Sequence, residues 1–163
     1  TGVQPCALPI SATAYHWIDP AVRMTRPTAL LAPGGVLAVI DTNQVRAADD
    51  RGFFDRSFPI YRKYRPDERA DPGRPADLMP PIVAEMEGCG RFEEVRLWRY
   101  RWDQRYDAAA YEDLLRSYSD MQRMEPTARE GLIGELRAMV AAEPGGAVVR
   151  PLVITLAVAR QPR

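Results

Sequence analysis

The chain has 163 residues, a length typical of one domain, and its 22 basic residues are balanced by 22 acidic residues. A net charge of zero argues against electrostatic capture of nucleic acid or of an anionic membrane surface. The hydrophobic fraction of 46% is that of an ordinary globular protein, and no apolar run approaches the ~20 residues of a membrane span.

The cysteine and histidine content is low. Cys6 and Cys89 are far apart and belong to no CxxC pair. This arrangement predicts no disulfide framework and favours a reducing, cytoplasmic setting. A single histidine, His16, without a cysteine cluster leaves few ligands for a transition metal, so we expect no metal site.

The first ten residues, TGVQPCALPI, have neither the basic region nor the cleavage-type ending of a signal peptide. They resemble the translation of a sequencing adapter joined to a gene already under way near Ser11. The alternative is a genuine, poorly ordered terminus. We expect residues 1–10 to be non-native and residues 11–163 to form a partial domain.

Two segments read as strands that end in polar residues. Residues 36–40, VLAVI, are wholly apolar and lead into Asp41-Thr42-Asn43. A strand that is apolar on both faces is typical of a parallel α/β sheet, which binds ligands beyond the carboxyl ends of its strands. Residues 11–17, SATAYHW, are interpreted as a second strand end and the loop that leaves it.

A helix is predicted between these two strands. Asp19-Pro20 marks its start, because Asp accepts hydrogen bonds from free amides and Pro suits the first helical position. We expect a kink at Pro27 and an end at Gly34-Gly35 in left-handed C-cap conformation. No glycine-rich phosphate loop of the GxGxxG or GxxxxGK[ST] type occurs in the chain.

Aromatic residues at helical spacing follow the second predicted strand. Phe54, Phe58 and Tyr61 recur at helical intervals, and Pro59 is expected to interrupt this helix. Pro81 then opens a short helix that Gly88-Cys89-Gly90 closes.

The next segment, residues 92–102 (FEEVRLWRYRW), predicts a long strand. Its arginines indicate a position near a sheet edge, where charge blocks further pairing. Trp98, Tyr100 and Trp102 share one face by strand alternation. We expect them to pack against the helix pair that follows, rather than to form a platform on which a ligand stacks.

The C-terminal part combines helices with a final strand. Asp107 is predicted to cap one helix, and TARE, from Thr127 to Glu130, is predicted to open another as a capping box. Residues 151–159, PLVITLAVA, are apolar on both faces and predict a central strand. The chain is therefore α/β, with a helical insertion between its last two strands.

The residues at the strand ends leave the chemistry open. His16 could serve as a general base, since its ordinary pKa lies near neutral pH, beside the apolar wall of Trp17. Alternatively, Trp17 packs under the following helix and His16 caps a carbonyl. Asp41 either meets a ligand or caps a turn.

A family resemblance narrows these alternatives. SATAYHWIDP followed by LLAPGGVLAVID resembles the fourth strand, fourth helix and fifth strand of class I S-adenosylmethionine-dependent methyltransferases of the small-molecule type. The segments FPIYRKYRP, WRYRWDQRYDAAAYEDLLRSYSD and VRPLVITLAVARQ resemble the C-terminal part of that group. The resemblance implies the C-terminal half of a Rossmann-like sheet, from the end of the fourth strand through the seventh.

The same resemblance implies roles for particular residues. Ser11, Ala12 and Thr13 would flank the methyl donor, S-adenosylmethionine. Tyr15, His16 and Trp17 would line the site next to the sulfonium or the substrate. Asp41, Thr42 and Asn43, at the end of the fifth strand, would lie near the small-molecule acceptor. Phe54, Phe58 and Tyr61 would cover the acceptor.

The family's glycine-rich donor loop and acidic donor-binding residue both lie upstream of its fourth strand, and neither occurs here. We therefore expect a C-terminal fragment that is inactive by itself. The alternative is a non-catalytic α/β interaction module that pairs with another chain through its exposed sheet edge.

Overall fold

The computed structural model describes residues 8–46, 52–69 and 74–163. Within them the strands are β1 (Ile10–Ala12), β2 (Val36–Gln44), β3 (Glu94–Asp107) and β4 (Ala147–Arg160). The α-helices of the same residues are α1 (Thr25–Leu30), α2 (Phe53–Tyr64), α3 (Pro81–Gly88), α4 (Ala108–Ser117), α5 (Ser119–Gln122) and α6 (Pro126–Ala141). A 3₁₀ turn, Tyr15–Trp17, follows β1.

The described strands form one mixed sheet in the order β1-β2-β4-β3. β1 pairs with β2 in parallel, and β2 pairs with β4 antiparallel from Val36 opposite Arg160 to Gln44 opposite Leu152. The amide of Glu93 donates to the carbonyl of Arg160, so the start of β3 lies beside the end of β4. The predicted α/β architecture is confirmed, with α4, α5 and α6 forming the expected insertion between β3 and β4.

The chain divides into two compact units. Among the described residues, the first unit comprises residues 8–45, Arg74–Trp102 and Leu152–Arg163, and the second comprises residues 46, 52–69 and 103–151. The core of the first unit joins one face of the sheet to α3, through Leu37, Val39, Ala157 and Ala159 of the sheet and Ile82, Val83 and Met86 of the helix.

The second unit has a helical core of its own. Four residues of α6 are fully buried at spacings of one, three and four, which places them on one helical face: Leu132, Ile133, Leu136 and Val140. The same cluster contains Tyr111 and Leu115 of α4, Phe53 of α2, Met121 and Val148. The helical insertion therefore buries its own apolar stripe.

The helix predicted between β1 and β2 is shorter than expected. Asp19 begins a turn rather than a helix, because its carboxylate accepts the amide of Ala21, two residues on, and α1 itself starts at Thr25. Pro27 then falls in the first helical turn, where its missing N–H costs nothing, so the expected kink is wrong. The predicted end is also wrong: α1 stops at Leu30, and Gly34 is left-handed (φ 74°) in the turn beyond it, whereas Gly35 is not.

Two other local predictions fail for related reasons. α2 runs through Pro59 without ending there, and both Pro59 and Asp55 are exposed, so the missing hydrogen bond faces solvent. α6 starts one residue before the predicted capping box, with Pro126 at its first position. Its N-cap is Glu125, whose carboxylate accepts the amides of Thr127 and Ala128 at 3.0 and 2.8 Å.

The aromatic row of β3 does not have the predicted packing. Trp98, Tyr100 and Trp102 are 39%, 53% and 52% exposed, and they belong to none of the hydrophobic clusters among the described residues. Other predictions are confirmed. Asp107 caps α4 through the amide of Ala110 at 2.8 Å, and β3 lies at the end of the sheet order, as its arginines indicate.

Candidate functional site

The carboxyl ends of β1 and β2 meet at one edge of the sheet. Ala12 lies opposite Ile40, and the amide of Thr13 donates to the carbonyl of Ile40 at 2.8 Å. Parallel pairing therefore brings the end of β1 level with Asp41. The predicted groups Ser11–Thr13 and Asp41–Asn43 are brought together by this geometry. β2 is longer than predicted, because its pairing with β4 continues to Gln44.

The backbone leaves β1 in an unusual conformation. Thr13 has a φ of 51°, in the left-handed region, and it is the one such non-glycine residue in the described ranges. This conformation is disfavoured for a β-branched side chain, since the Cβ substituents crowd the backbone. Strain of this kind concentrates at functional sites, and here it lies at the carboxyl-terminal end of a parallel strand pair.

Tyr15 is held inside the first unit. Its ring joins the hydrophobic core at 7% exposure, and its hydroxyl donates to the carbonyl of Arg23. The guanidinium of Arg23 lies 5.8 Å from the centre of the Tyr15 ring and is paired with the carboxylate of Glu85. Burial, together with the charge of Glu85, raises the pKa of Tyr15 to about 12. Tyr15 thus anchors the 3₁₀ turn.

The next two residues face outward. His16 is exposed, and Trp17 is 77% exposed, with the two ring centres 4.9 Å apart. The alternative in which Trp17 packs under the following helix is therefore wrong. His16 and Trp17 are accessible to a ligand, whereas Tyr15 beside them is occupied by packing.

Polar groups extend from the end of β2. The carboxylate of Asp41 accepts the amide of Thr42 at 3.1 Å, and the carbonyl of Asp41 accepts the hydroxyl of Thr155 at 3.5 Å. Asn43 is buried, with 3% of its surface exposed. Its side-chain oxygen accepts a hydrogen bond from the guanidinium of Arg74. Among the described residues, the Nδ2 of Asn43 has no hydrogen-bond partner.

Arg74 is the residue that sequence reasoning missed. It lies 31 positions from Asn43 along the chain, and an isolated bridge between Val45 and Arg74 brings its backbone alongside the end of β2. The sequence around it, within PDERADPGRPAD, reads as loop and carries no periodic signal. The contact is a product of tertiary structure.

The three predicted acceptor-covering aromatics belong to the second unit. Phe54 and Tyr61 are half-buried against its helical core, and Phe58 is half-buried outside that cluster. Burial, with a hydrogen bond to Tyr111, raises the pKa of Tyr61 well above its ordinary value. The guanidinium of Arg150 lies 5.6 Å from the centre of the Phe54 ring.

The described residues contain neither a cluster of metal ligands nor a membrane-spanning helix. No group of three or more His, Cys, Asp or Glu side chains there could hold a metal ion. In the described part of the chain, no helix is long and apolar enough to cross a membrane. Cys89 is a free thiol, and Cys6 lies outside the described residues.

No family model matches the sequence, and no curated protein does either. Solved structures are similar. A proposed type II methyltransferase from Anaeromyxobacter dehalogenans is 18% identical, with a TM-score of 0.48 over 98% of this chain and 65% of that one. A proposed methyltransferase from Bacillus halodurans is 13% identical, with a TM-score of 0.44 over 100% of this chain and 67% of that one.

A third structure is a phosphoethanolamine N-methyltransferase 2 from Haemonchus contortus, bound to phosphomonomethylethanolamine and S-adenosylhomocysteine. It is 12% identical, with a TM-score of 0.38 over 96% of this chain and 33% of that one. The chain thus spans from a third to two thirds of the length of these structures. All three are named as methyltransferases, and similarity at this level locates no site in this chain.

Proposed function

We propose that this chain contributes the acceptor-facing part of a methyltransferase that moves a methyl group from S-adenosylmethionine to a small molecule. The observation that carries the proposal is the shared edge of β1 and β2. Thr13, in its left-handed conformation, lies there level with Asp41, at the carboxyl ends of a parallel pair. Ligands of open α/β sheets bind beyond such ends.

In this proposal the residues act by position. The short side chains of Ser11 and Ala12 let the donor approach the backbone of β1, while Trp17 excludes water from one side of the methyl group. Asp41 and Asn43 orient the acceptor, and the unpartnered Nδ2 of Asn43 supplies a hydrogen bond to it. Methyl transfer is an in-line displacement, so orientation and desolvation supply most of the acceleration, and His16 as a base is optional.

The proposal also concerns the donor. The sequence has no counterpart of the glycine-rich loop or the acidic residue that the family resemblance implies for donor binding. We therefore propose that this chain alone binds S-adenosylmethionine weakly and has no activity, and that both depend on residues upstream of Ser11.

Calorimetry with S-adenosylhomocysteine tests this proposal. It would be done on this chain and on a chain extended by the coding sequence upstream of Ser11, with Trp17→Ala in the extended chain as a site variant. Binding by the extended chain alone, weakened by Trp17→Ala, supports the proposal. Tight binding by the short chain contradicts the donor assignment, and binding by neither contradicts the methyltransferase function.

A specific observation favours a second function, that of a non-catalytic module which pairs with another chain. β1 lies at one end of the sheet order, and Leu8 and Ile10 beside that edge are 48% and 59% exposed. An open strand edge offers unpaired backbone groups to a partner strand. Failure of the extended chain to bind S-adenosylhomocysteine would favour this function.

A further inference from the structure

The face of the sheet that packs against α3 changes from apolar to polar along β2. Leu37 and Val39 belong to the hydrophobic core on this face. Strand alternation places Asp41 and Asn43 on the same face, nearer the carboxyl end of β2. β2 pairs with β1 along one edge and with β4 along the other, so no further strand can pair beside this end.

The chain itself crosses the carboxyl end of β2. Leu78 packs in a small hydrophobic cluster with Val45, which holds the segment that leads into α3 against the end of the strand. Arg74 begins that segment, and its backbone forms a bridge with Val45. We call the three polar residues that this arrangement brings together, Asp41, Asn43 and Arg74, the polar end of β2.

Arg74 brings to the polar end a positive charge that no described carboxylate neutralises. Its guanidinium donates to the side-chain oxygen of Asn43 and forms no ion pair with a described residue. A guanidinium has five N–H donors, so most of them remain for another acceptor. The Nδ2 of Asn43 is buried without a partner among the described residues, a costly state that a bound oxygen would relieve.

Asp41 supplies the opposite charge on the same face. Its side chain is half-buried, accepts the amide of Thr42 at 3.1 Å and pairs with no cation of the described residues. Two residues of a strand span ~7 Å, so the carboxylate of Asp41 and the pair formed by Asn43 and Arg74 lie within reach of one small molecule. The polar end therefore offers an acidic and a basic group side by side.

We propose that the methyl acceptor is an aminocarboxylate, a molecule with an ammonium group and a carboxylate on a short carbon chain; this inference rests on the methyltransferase function proposed above. The guanidinium of Arg74 and the amide of Asn43 bind its carboxylate, and the carboxylate of Asp41 binds its ammonium group. A simple carboxylic acid would be repelled by Asp41 and a simple amine by Arg74, so the two charges together select a molecule that carries both.

The charge of the surrounding residues agrees with a ligand of zero net charge. Arg99 of β3 donates to the carbonyl of Leu78 at 3.0 Å, and Asp77 precedes Leu78 in the same segment, so these two charges cancel. A phosphate monoester fits less well, because it carries about two negative charges at neutral pH. Arg74 would balance one of them, and Asp41 would repel the group.

Nuclear magnetic resonance of the full, ¹⁵N-labelled chain tests the proposal by titration with glycine and with β-alanine. The side-chain amide signals of Asn43, assigned by their absence in Asn43→Ala, should shift and saturate with a dissociation constant on the order of 1–10 mM. Acetate and methylammonium each carry one of the two charges and should bind about tenfold more weakly or less. This comparison uses the unaltered chain, so it does not depend on the folding of a variant.

Variants then assign the two charges. Arg74→Gln and Asp41→Asn should each weaken the binding of the aminocarboxylates by about tenfold or more. Arg91→Gln is the matched control, because Arg91 is an exposed arginine of the same unit, and it should leave binding unchanged. The proposal is overturned if neither aminocarboxylate gives a saturating shift, if acetate binds as tightly as glycine, or if Arg91→Gln weakens binding as much as Arg74→Gln.

These titrations need no methyl donor, so they are independent of the test of the methyltransferase function. If the extended chain binds S-adenosylhomocysteine and the aminocarboxylates do not bind, the acceptor class is wrong and the methyltransferase function stands. If the extended chain fails to bind S-adenosylhomocysteine, the methyltransferase function is wrong, and the role of an aminocarboxylate as methyl acceptor is overturned with it.

Discussion

At the scale of single residues, two glycines of α6 have opposite surroundings. A Cβ built on Gly134 would meet no atom within 4 Å, whereas one built on Gly131 would lie 2.6 Å from the ring of Tyr64. The Tyr64 hydroxyl is held by the carboxylate of Glu135 at 2.7 Å, so the ring cannot move away freely. The same substitution therefore has different consequences at two positions of one helix.

We expect Gly134→Ala to raise the free energy of unfolding by about 1 kcal/mol, because alanine loses less backbone entropy than glycine in a helix. Gly131→Ala should lack this gain or lower stability, because Tyr64 must shift. Urea denaturation of both variants checks the pair. Equal stabilisation of the two would show that Tyr64 does not pack against Gly131 in solution.

Thr13 offers a second prediction at this scale. Its φ of 51° is unfavourable for threonine by roughly 1–2 kcal/mol, and glycine removes that cost. We expect Thr13→Gly to stabilise the fold by about 1 kcal/mol, after the entropy that glycine loses on folding.

The matched control is Thr42→Gly, at an exposed position of β2. Glycine weakens a strand where the backbone is already extended, so this control should be destabilised. If Thr13→Gly destabilised the chain as much as Thr42→Gly does, the left-handed assignment at Thr13 would be wrong.

At the scale of secondary-structure elements, α4 is joined to α6 by charge as well as by packing. The guanidinium of Arg116 donates to Glu112 within α4 at 2.9 Å and to Glu130 of α6 at 2.6 Å. Glu130 accepts hydrogen bonds from Arg116 and from Arg129, and these two bonds, the one from Arg116 first, lower its pKa to about 2. The interaction lies at the surface, so salt should weaken it.

The pH dependence follows from the sign of that shift. A carboxyl whose pKa is lowered on folding stabilises the folded state above its unfolded pKa, near 4.5, and this stabilisation is lost as the pH falls toward 2. We expect Glu130→Gln to lower the thermal midpoint at pH 6 and to leave it nearly unchanged at pH 2. Melting curves at both pH values, with and without ~1 M salt, check this. An equal loss at both pH values would assign Glu130 a packing role instead.

At the scale of the whole molecule, each compact unit contains at least one tyrosine whose pKa is raised by burial. Burial raises the pKa of Tyr15 in the first unit to about 12, and burial also raises the pKa values of Tyr61 and Tyr111 in the second. A phenol whose pKa is raised on folding contributes its full stability below the unfolded pKa, near 10. That contribution is lost as the pH rises through the folded value.

We therefore expect the free energy of unfolding to fall steadily above pH 10. Urea denaturation at pH 9, 10 and 11 measures the fall, and the absorbance of phenolate in the folded chain, compared with the urea-unfolded chain, reports the delayed ionisation. Tyr15→Phe should make the fall shallower. A flat profile across this range would mean that the phenols are accessible to water in the folded state.

The sequence pattern was sufficient for the strands of the central sheet and for the helical insertion. Apolar runs such as VLAVI and PLVITLAVA predict central strands, and Asp107 can cap a helix in many surroundings, because these properties depend on neighbours along the chain. The expected burial on both faces is wrong for β4, whose residues alternate between buried and half-buried from Pro151 to Ala159. The same local reading failed at Pro27, Pro59 and Thr127. There, alternative hydrogen bonds and exposure to solvent decide where a helix begins or ends.

Long-range pairing was decided by tertiary structure alone. The insertion of β4 between β2 and β3, the left-handed backbone of Thr13 and the contact of Arg74 with Asn43 each depend on residues that are distant in sequence. The exposure of Trp98, Tyr100 and Trp102 belongs to the same group, because alternation assigns a side chain to a face but does not say what covers that face. Local propensity and periodicity depend on residues that are neighbours in sequence. The order of strand pairing and the exposure of side chains depend on which distant segments pack together in the folded chain.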